Sequence, residues 1–116
     1  MKLSDTDSLI RDYENDGVVR VRGLFSADEV VALRAELERY MHDDLASKPA
    51  DARTLEADGK TVRNLWRLEI HHPAFAPMVE KPEILALVSA LVHGEPLLMG
   101  VETFNKPARV GSGVPY

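Results

Sequence analysis

Three places along the chain carry residue types that hold metals or move protons. His42-Asp43-Asp44 and His93-Gly94-Glu95 both read His-x-acid, and Glu69-Ile70-His71-His72 sets a carboxylate beside two imidazoles. A His-x-Asp pair on a strand can serve one ion, because alternate side chains leave a strand on the same side. His42 and Asp44 fall instead at the end of a helical pattern, where positions two apart are separated by about 200° and cannot face one ion. His93 precedes a glycine at a helix C-terminus, an ordinary place for a histidine. If the segment before Pro73 is extended, Glu69 and His71 share a face while His72 points away, which gives two ligands without a third. No metal ligand and no catalytic residue is therefore expected in this sequence. Gly111-Ser112-Gly113 lacks the lysine and following helix of a phosphate-cradling loop and reads as a flexible connection. The chain has no cysteine, which excludes a disulfide scaffold, a zinc-thiolate site and a cysteine nucleophile.

The elements that would position these residues follow from local signals. Ser4 or Asp5 can cap a first helix with Leu9, Ile10 and Tyr13 at helical spacing, released at Gly17. Val18–Gly23 alternates valine and arginine in its second half and is expected to be a short strand. Ser26 followed by Glu29 is a capping box, and Val30, Leu33, Leu37 and Tyr40 or Met41 continue one apolar stripe. Ala46–Lys60, with Pro49 and Gly59 and no sustained periodicity, reads as a loop. Thr61–Ile70 alternates weakly and is expected to be extended or irregular. Pro82 suits the first position of a third long helix, with Ile84, Leu85, Val88, Leu91 and Val92 on its apolar face and Gly94 at its end. Leu97–Phe104 reads as a strand, followed by a proline and glycine-rich exit. Trp66, Phe75 and Phe104, one aromatic per element, are expected in the core.

Composition bounds the rest. The 116 residues are 45% apolar and 28% charged, as in an ordinary globular domain. A net charge of -5 with basic residues spread along the chain offers no footprint for a phosphate backbone, so nucleic acid is not an expected partner. No apolar run has the length of a signal or a membrane span, and the expectation is a cytoplasmic protein without a membrane partner.

Two stretches together resemble the N-terminal portion of the phytanoyl-CoA dioxygenase family of Fe(II)- and 2-oxoglutarate-dependent oxygenases. The first is Asp16-Gly17-Val18-Val19-Arg20-Val21-Arg22-Gly23-Leu24-Phe25-Ser26 running into the helix to Tyr40. The second is Pro82-Glu83-Ile84-Leu85, the helix to Gly94, a strand, and Asn105-Lys106-Pro107 leading to Gly111-Ser112-Gly113-Val114-Pro115-Tyr116. The resemblance implies an α+β fold: N-terminal helices packed on the first strands of a double-stranded β-helix, or jelly roll, with the barrel incomplete. Residues 1–116 would be the N-terminal part of one such domain, its C-terminal catalytic part absent. In the family, this glycine segment leads into a His-x-Asp motif that supplies two iron ligands. A second histidine and an arginine for 2-oxoglutarate lie further downstream.

The carry-over to residues present is short. Arg63 matches the basic residue that contacts 2-oxoglutarate upstream of a stretch like His72-Pro73-Ala74-Phe75, and its planar fork suits a carboxylate. Glu102, three residues before Asn105, matches a second cosubstrate contact, where methionine or glutamine is more usual. A carboxylate there repels the dianion unless a cation intervenes. Fe(II) and 2-oxoglutarate are thus cofactors of the full-length family, with neither held tightly by this chain, and the substrate is a small organic molecule. The chain alone is expected to be inactive and to self-associate through unpaired strand edges. The competing reading is a small non-catalytic α+β interaction module, dimeric through such an edge.

Overall fold

The computed structural model describes residues 6–110. In chain order its elements are α1 (Thr6–Asp16), α2 (Ala27–Arg39), β1 (Arg53–Leu55), β2 (Val62–Leu65), the short α3 (Leu68–His71) and α4 (Ala76–Val79), α5 (Pro82–Val92) and β3 (Thr103–Phe104). They fall into two compact units: one takes in the residues up to Glu38 with Glu80–Leu97, the other Arg39–Val79 with the residues from Leu98 onward. No helix among the described residues is long and apolar enough to cross a membrane.

The first unit is helical. The expected caps of α1, Ser4 and Asp5, lie outside the described residues, but its end is as expected: the Gly17 amide donates to the Tyr13 carbonyl at 2.8 Å, with Gly17 at φ +73°. The capping box opens α2 reciprocally, with the Glu29 amide donating to Ser26 Oγ at 3.1 Å and the Ser26 amide to Glu29 Oε1 at 3.4 Å. Glu29 also pairs with Lys81, the residue before Pro82 of α5, and the Lys81 ammonium stands 4.9 Å from the centre of the Phe25 ring. The Lys81 hydrogen bond, followed by that from the Ser26 amide, holds the Glu29 carboxyl below its usual range. At the far end of α5 it is His93, at φ +55°, that takes the left-handed position expected of Gly94. Val18–Gly23 is not a strand. Its alternation is real, but no described segment pairs with it, and Val18 is 67% exposed.

The second unit holds the sheet, three antiparallel strands in the order β1-β2-β3. The loop expected over Ala46–Lys60 is instead two single 3-10 turns, Leu45–Ser47 and Ala50–Ala52, followed by a strand and a hairpin turn. Asp58 makes that turn: its Oδ1 accepts the amides of Lys60 and Thr61, each at 2.8 Å, and its Oδ2 accepts the Thr61 hydroxyl at 2.5 Å. The hydroxyl bond first, then the two amides, keep the Asp58 carboxyl low. Gly59 at φ +69° completes the reversal and Leu55 pairs with Val62.

Within Thr61–Ile70 only Val62–Leu65 forms a strand. Leu68–His71 forms one helical turn, so Glu69 and His71 do not share a face. Leu97–Phe104 is likewise corrected to the two residues of β3, because the chain ahead of them bonds to α3 and not to a strand: Val101 O accepts the Leu68 amide at 2.8 Å. The core comprises Tyr40, Leu45, Ala52, Leu65, Leu68, Phe75 and Val101. The His72 ring lies between Tyr40 and Phe75, at 5.5 and 5.0 Å between ring centres. The fold is therefore α+β with a small open sheet; a jelly roll is not formed among the described residues.

Candidate functional site

The strands β2 and β3 bring the two expected site residues together. Arg63 lies on β2 and Glu102 immediately precedes β3; the register sets Asn64 opposite Phe104 and Leu65 opposite Thr103. Asn105, the asparagine of Asn-Lys-Pro, extends this ladder. Its amide donates to the Arg63 carbonyl at 2.7 Å and its side-chain amide to the Val62 carbonyl at 3.3 Å. Asn64, largely buried, returns a side-chain bond to the Thr103 carbonyl at 3.2 Å. Two asparagines thus fix the strand pair by hydrogen bonds that sequence-distant backbone carbonyls must accept.

On this sheet lies an open cleft of about 620 Å³, the size of a small-molecule site, lined by Arg63, Glu102, Thr54, Trp66, Thr103 and Phe104 among others. Arg63 and Thr103 share the face of the buried Leu65 by this register, and Arg63 Nε and Thr103 Oγ1 are buried without a hydrogen-bond partner among the described residues. The Arg63 guanidinium also stands 5.6 Å from the centre of the Phe104 ring.

Among the lining residues that went unassigned in the sequence are Trp66, Phe104 and Thr103. Trp66 and Phe104 were expected in the core with Phe75, but only Phe75 is there; Phe104 is 49% exposed and Trp66 half-buried, its indole N–H donating to Thr54 Oγ1 at 2.8 Å. The alternation Asn64-Leu65-Trp66 carried the one usable signal, since Leu65 is buried and its neighbours must face the other way.

The His-x-acid candidates do not converge. His42 Nδ1 lies 2.6 Å from Asp43 Oδ1, a hydrogen bond that raises the imidazole pKa, while Asp44 pairs with Arg39 at 3.3 Å. His93 stands 3.4 Å from Glu14 rather than beside Glu95. Glu69 is occupied by Arg67 Nε at 2.7 Å and the Val101 amide at 2.9 Å, contacts that, in that order, hold its carboxyl low. No group of three histidine, aspartate or glutamate side chains gathers closely enough to hold a metal ion among the described residues. These residues do not fit an iron centre.

The fold and the cleft together define an α+β chain with a small open sheet and a cleft of small-molecule size. Comparison with known proteins gives the class a name: the chain belongs to the phytanoyl-CoA dioxygenase (PhyH) family, whose model matches residues 13–116. It is 33% identical over 104 residues to an ectoine dioxygenase of Stutzerimonas stutzeri, which covers 89% of this chain and 34% of the relative. An ectoine dioxygenase of Bordetella parapertussis is 32% identical over 86 residues, 74% of this chain and 28% of the relative. A Streptomyces avermitilis ectoine dioxygenase is 27% identical over 105 residues, 90% of this chain and 35% of the relative. The chain thus spans about a third of the length of the curated relatives it matches. No solved structure matches it significantly.

Proposed function

We propose that this chain is the N-terminal part of an Fe(II)- and 2-oxoglutarate-dependent oxygenase that acts on a small organic molecule, and that Arg63 and Glu102 line its cosubstrate cleft. The observation that carries the reading is the match of residues 13–116 to this family, in a chain where Arg63 and Glu102 both line one cleft of ligand size. When bound, iron and 2-oxoglutarate would supply the oxidising chemistry. The residues described here would supply orientation: the Arg63 fork receives one carboxylate, Thr103 Oγ1 offers a further hydrogen bond, and the asparagine ladder keeps both in register. The relatives act on ectoine by their names, and a polar, small substrate of that size is the class proposed for the whole protein.

By itself the chain is proposed to be inactive and cytoplasmic. Incubated with Fe(II), ascorbate and 2-oxoglutarate it should form no succinate above a protein-free control; sustained succinate formation would refute this. Reading the coding DNA past Tyr116 tests the larger claim. A His-x-Asp codon pattern in frame, or after one frameshift, is the expected result, and an unrelated continuation would remove the basis for an oxygenase.

A further inference from the structure

The two open edges of the sheet differ in kind. β1 carries an irregularity between Thr54 and Leu55, a feature that blunts an edge against further pairing, whereas β3 pairs in unbroken register. The residues of the β3 side that bond inward are the odd-numbered ones. The Asn105 amide donates to the Arg63 carbonyl at 2.7 Å, Thr103 pairs with Leu65, and the Val101 carbonyl accepts the Leu68 amide at 2.8 Å. Antiparallel alternation therefore turns the amides and carbonyls of Glu102 and Phe104 outward, and neither has a backbone partner there among the described residues. The side chains of Glu102 and Phe104 share one face, and the same alternation puts Lys106 on it. All three are exposed, and neither Glu102 nor Lys106 is in an ion pair among the described residues.

This edge is complementary to itself. Two copies related by a two-fold axis at Thr103 set each Glu102 opposite the partner's Phe104, so that the amide of each donates to the carbonyl of the other. Thr103 then faces the partner's Thr103 at the closer, non-hydrogen-bonded position. On the face of Glu102, the right-handed twist of the strands draws together the diagonal neighbours that lie C-terminal to each directly opposed pair. Those neighbours are Phe104 with the partner's Phe104 across the axis, and Glu102 with the partner's Lys106 on either side of it. The same twist moves the two Glu102 carboxylates apart. We propose that the free edge of β3 receives the same edge of a second copy of this chain in this register, joining two three-stranded sheets into one. The pairing consumes the unguarded edge of each copy and leaves the irregular β1 edges outermost, so association stops at the dimer.

Sedimentation equilibrium of the full chain at low ionic strength should show a dimer whose mass rises no further with concentration. E102K and K106E each set like charges against one another on both sides of the axis and should weaken dimerisation about tenfold. The double exchange E102K/K106E restores opposite charges and should return the dissociation constant to within about threefold of the parent. Circular dichroism checks that each variant is folded. The register is read separately with T103C, in a chain that otherwise lacks cysteine. Its Cβ atoms would stand about 4.5–5.5 Å apart across the axis, so mild oxidation should cross-link it, while L55C on the β1 edge should stay largely uncrosslinked. The pairing is overturned by a parent chain that remains monomeric, by folded single reversals that dimerise as the parent does, or by a folded double exchange that fails to recover. Cross-linking of L55C as readily as T103C would overturn it too, whether or not the reversals fold.

Discussion

The Glu69 carboxylate accepts the backbone amide of Val101 at 2.9 Å, clipping α3 to the segment that leads into β3. The Leu68 amide donates to the Val101 carbonyl at 2.8 Å beside it, so the second unit closes through two bonds on one residue. That clip sets where the chain turns toward Glu102, and hence the position of the whole β3 side of the cleft.

Removing the clip should loosen the cleft before it unfolds the unit. Glu69→Ala deprives both the Val101 amide and Arg67 Nε of their acceptor, and the expected result is a lower thermal midpoint with faster amide exchange at Val101 and Thr103. Glu69→Gln keeps one acceptor and should fall between. Hydrogen exchange read by NMR checks both variants.

Acid should destabilise the chain. Glu29, Asp58 and Glu69 all have carboxyls held below their usual range by hydrogen bonds formed on folding. Their stabilisation is therefore complete above the unfolded values near pH 4 and disappears as pH falls through the lower folded ones. The Asp43 bond to His42 has the opposite sign: the raised imidazole contributes below its unfolded value of about 6.5 and loses that contribution as pH rises through the folded one. Urea midpoints measured from pH 3 to 8 should fall steeply only at the acid end.

Tyr40 is fully buried, and its hydroxyl has no hydrogen-bond partner among the described residues. Burial, with the nearby Asp44 charge adding to it, pushes that hydroxyl above the usual tyrosine range. Tyr40→Phe removes an unsatisfied group without opening a cavity and should be neutral or stabilising by up to about 1 kcal/mol. Tyr40→Ala should cost about 3–5 kcal/mol, comparable to other large-to-small aromatic truncations. Chemical denaturation of the two variants separates the ring from its hydroxyl.

His93 ends α5 in the left-handed conformation that glycine adopts without cost. Its ion pair with Glu14 is exposed, and such pairs contribute little. His93→Gly should therefore raise stability by about 0.5–1 kcal/mol, read from the urea midpoint.

The strands β1 and β3 are both sheet edges, and Met99, just ahead of β3, is 92% exposed. An open edge beside an exposed apolar side chain favours self-association. Sedimentation should show mass rising with concentration, and Met99→Lys should suppress it. A single, cooperative thermal transition of the isolated chain would instead favour an autonomous interaction module.

What the sequence determined by itself was the caps and starts of the long helices, whose causes lie within a few residues. Ser26 and Glu29 bond each other's backbone amides, and Pro82 begins α5, because caps and fixed φ angles act locally. The family, too, was legible from Asn105-Lys106-Pro107 and the helix before it. The strands were not, because a strand exists only through its partner. Val18–Gly23 alternates yet pairs with nothing described, whereas Arg53–Leu55 lies in what read as loop and becomes β1 once Asp58 and Gly59 turn the chain back on it. Arg63 and Glu102 were named singly from resemblance; that both line one cleft beside Trp66 and Phe104 was decided by the pairing of β2 with β3. Only tertiary structure can set that, since it joins residues about forty positions apart.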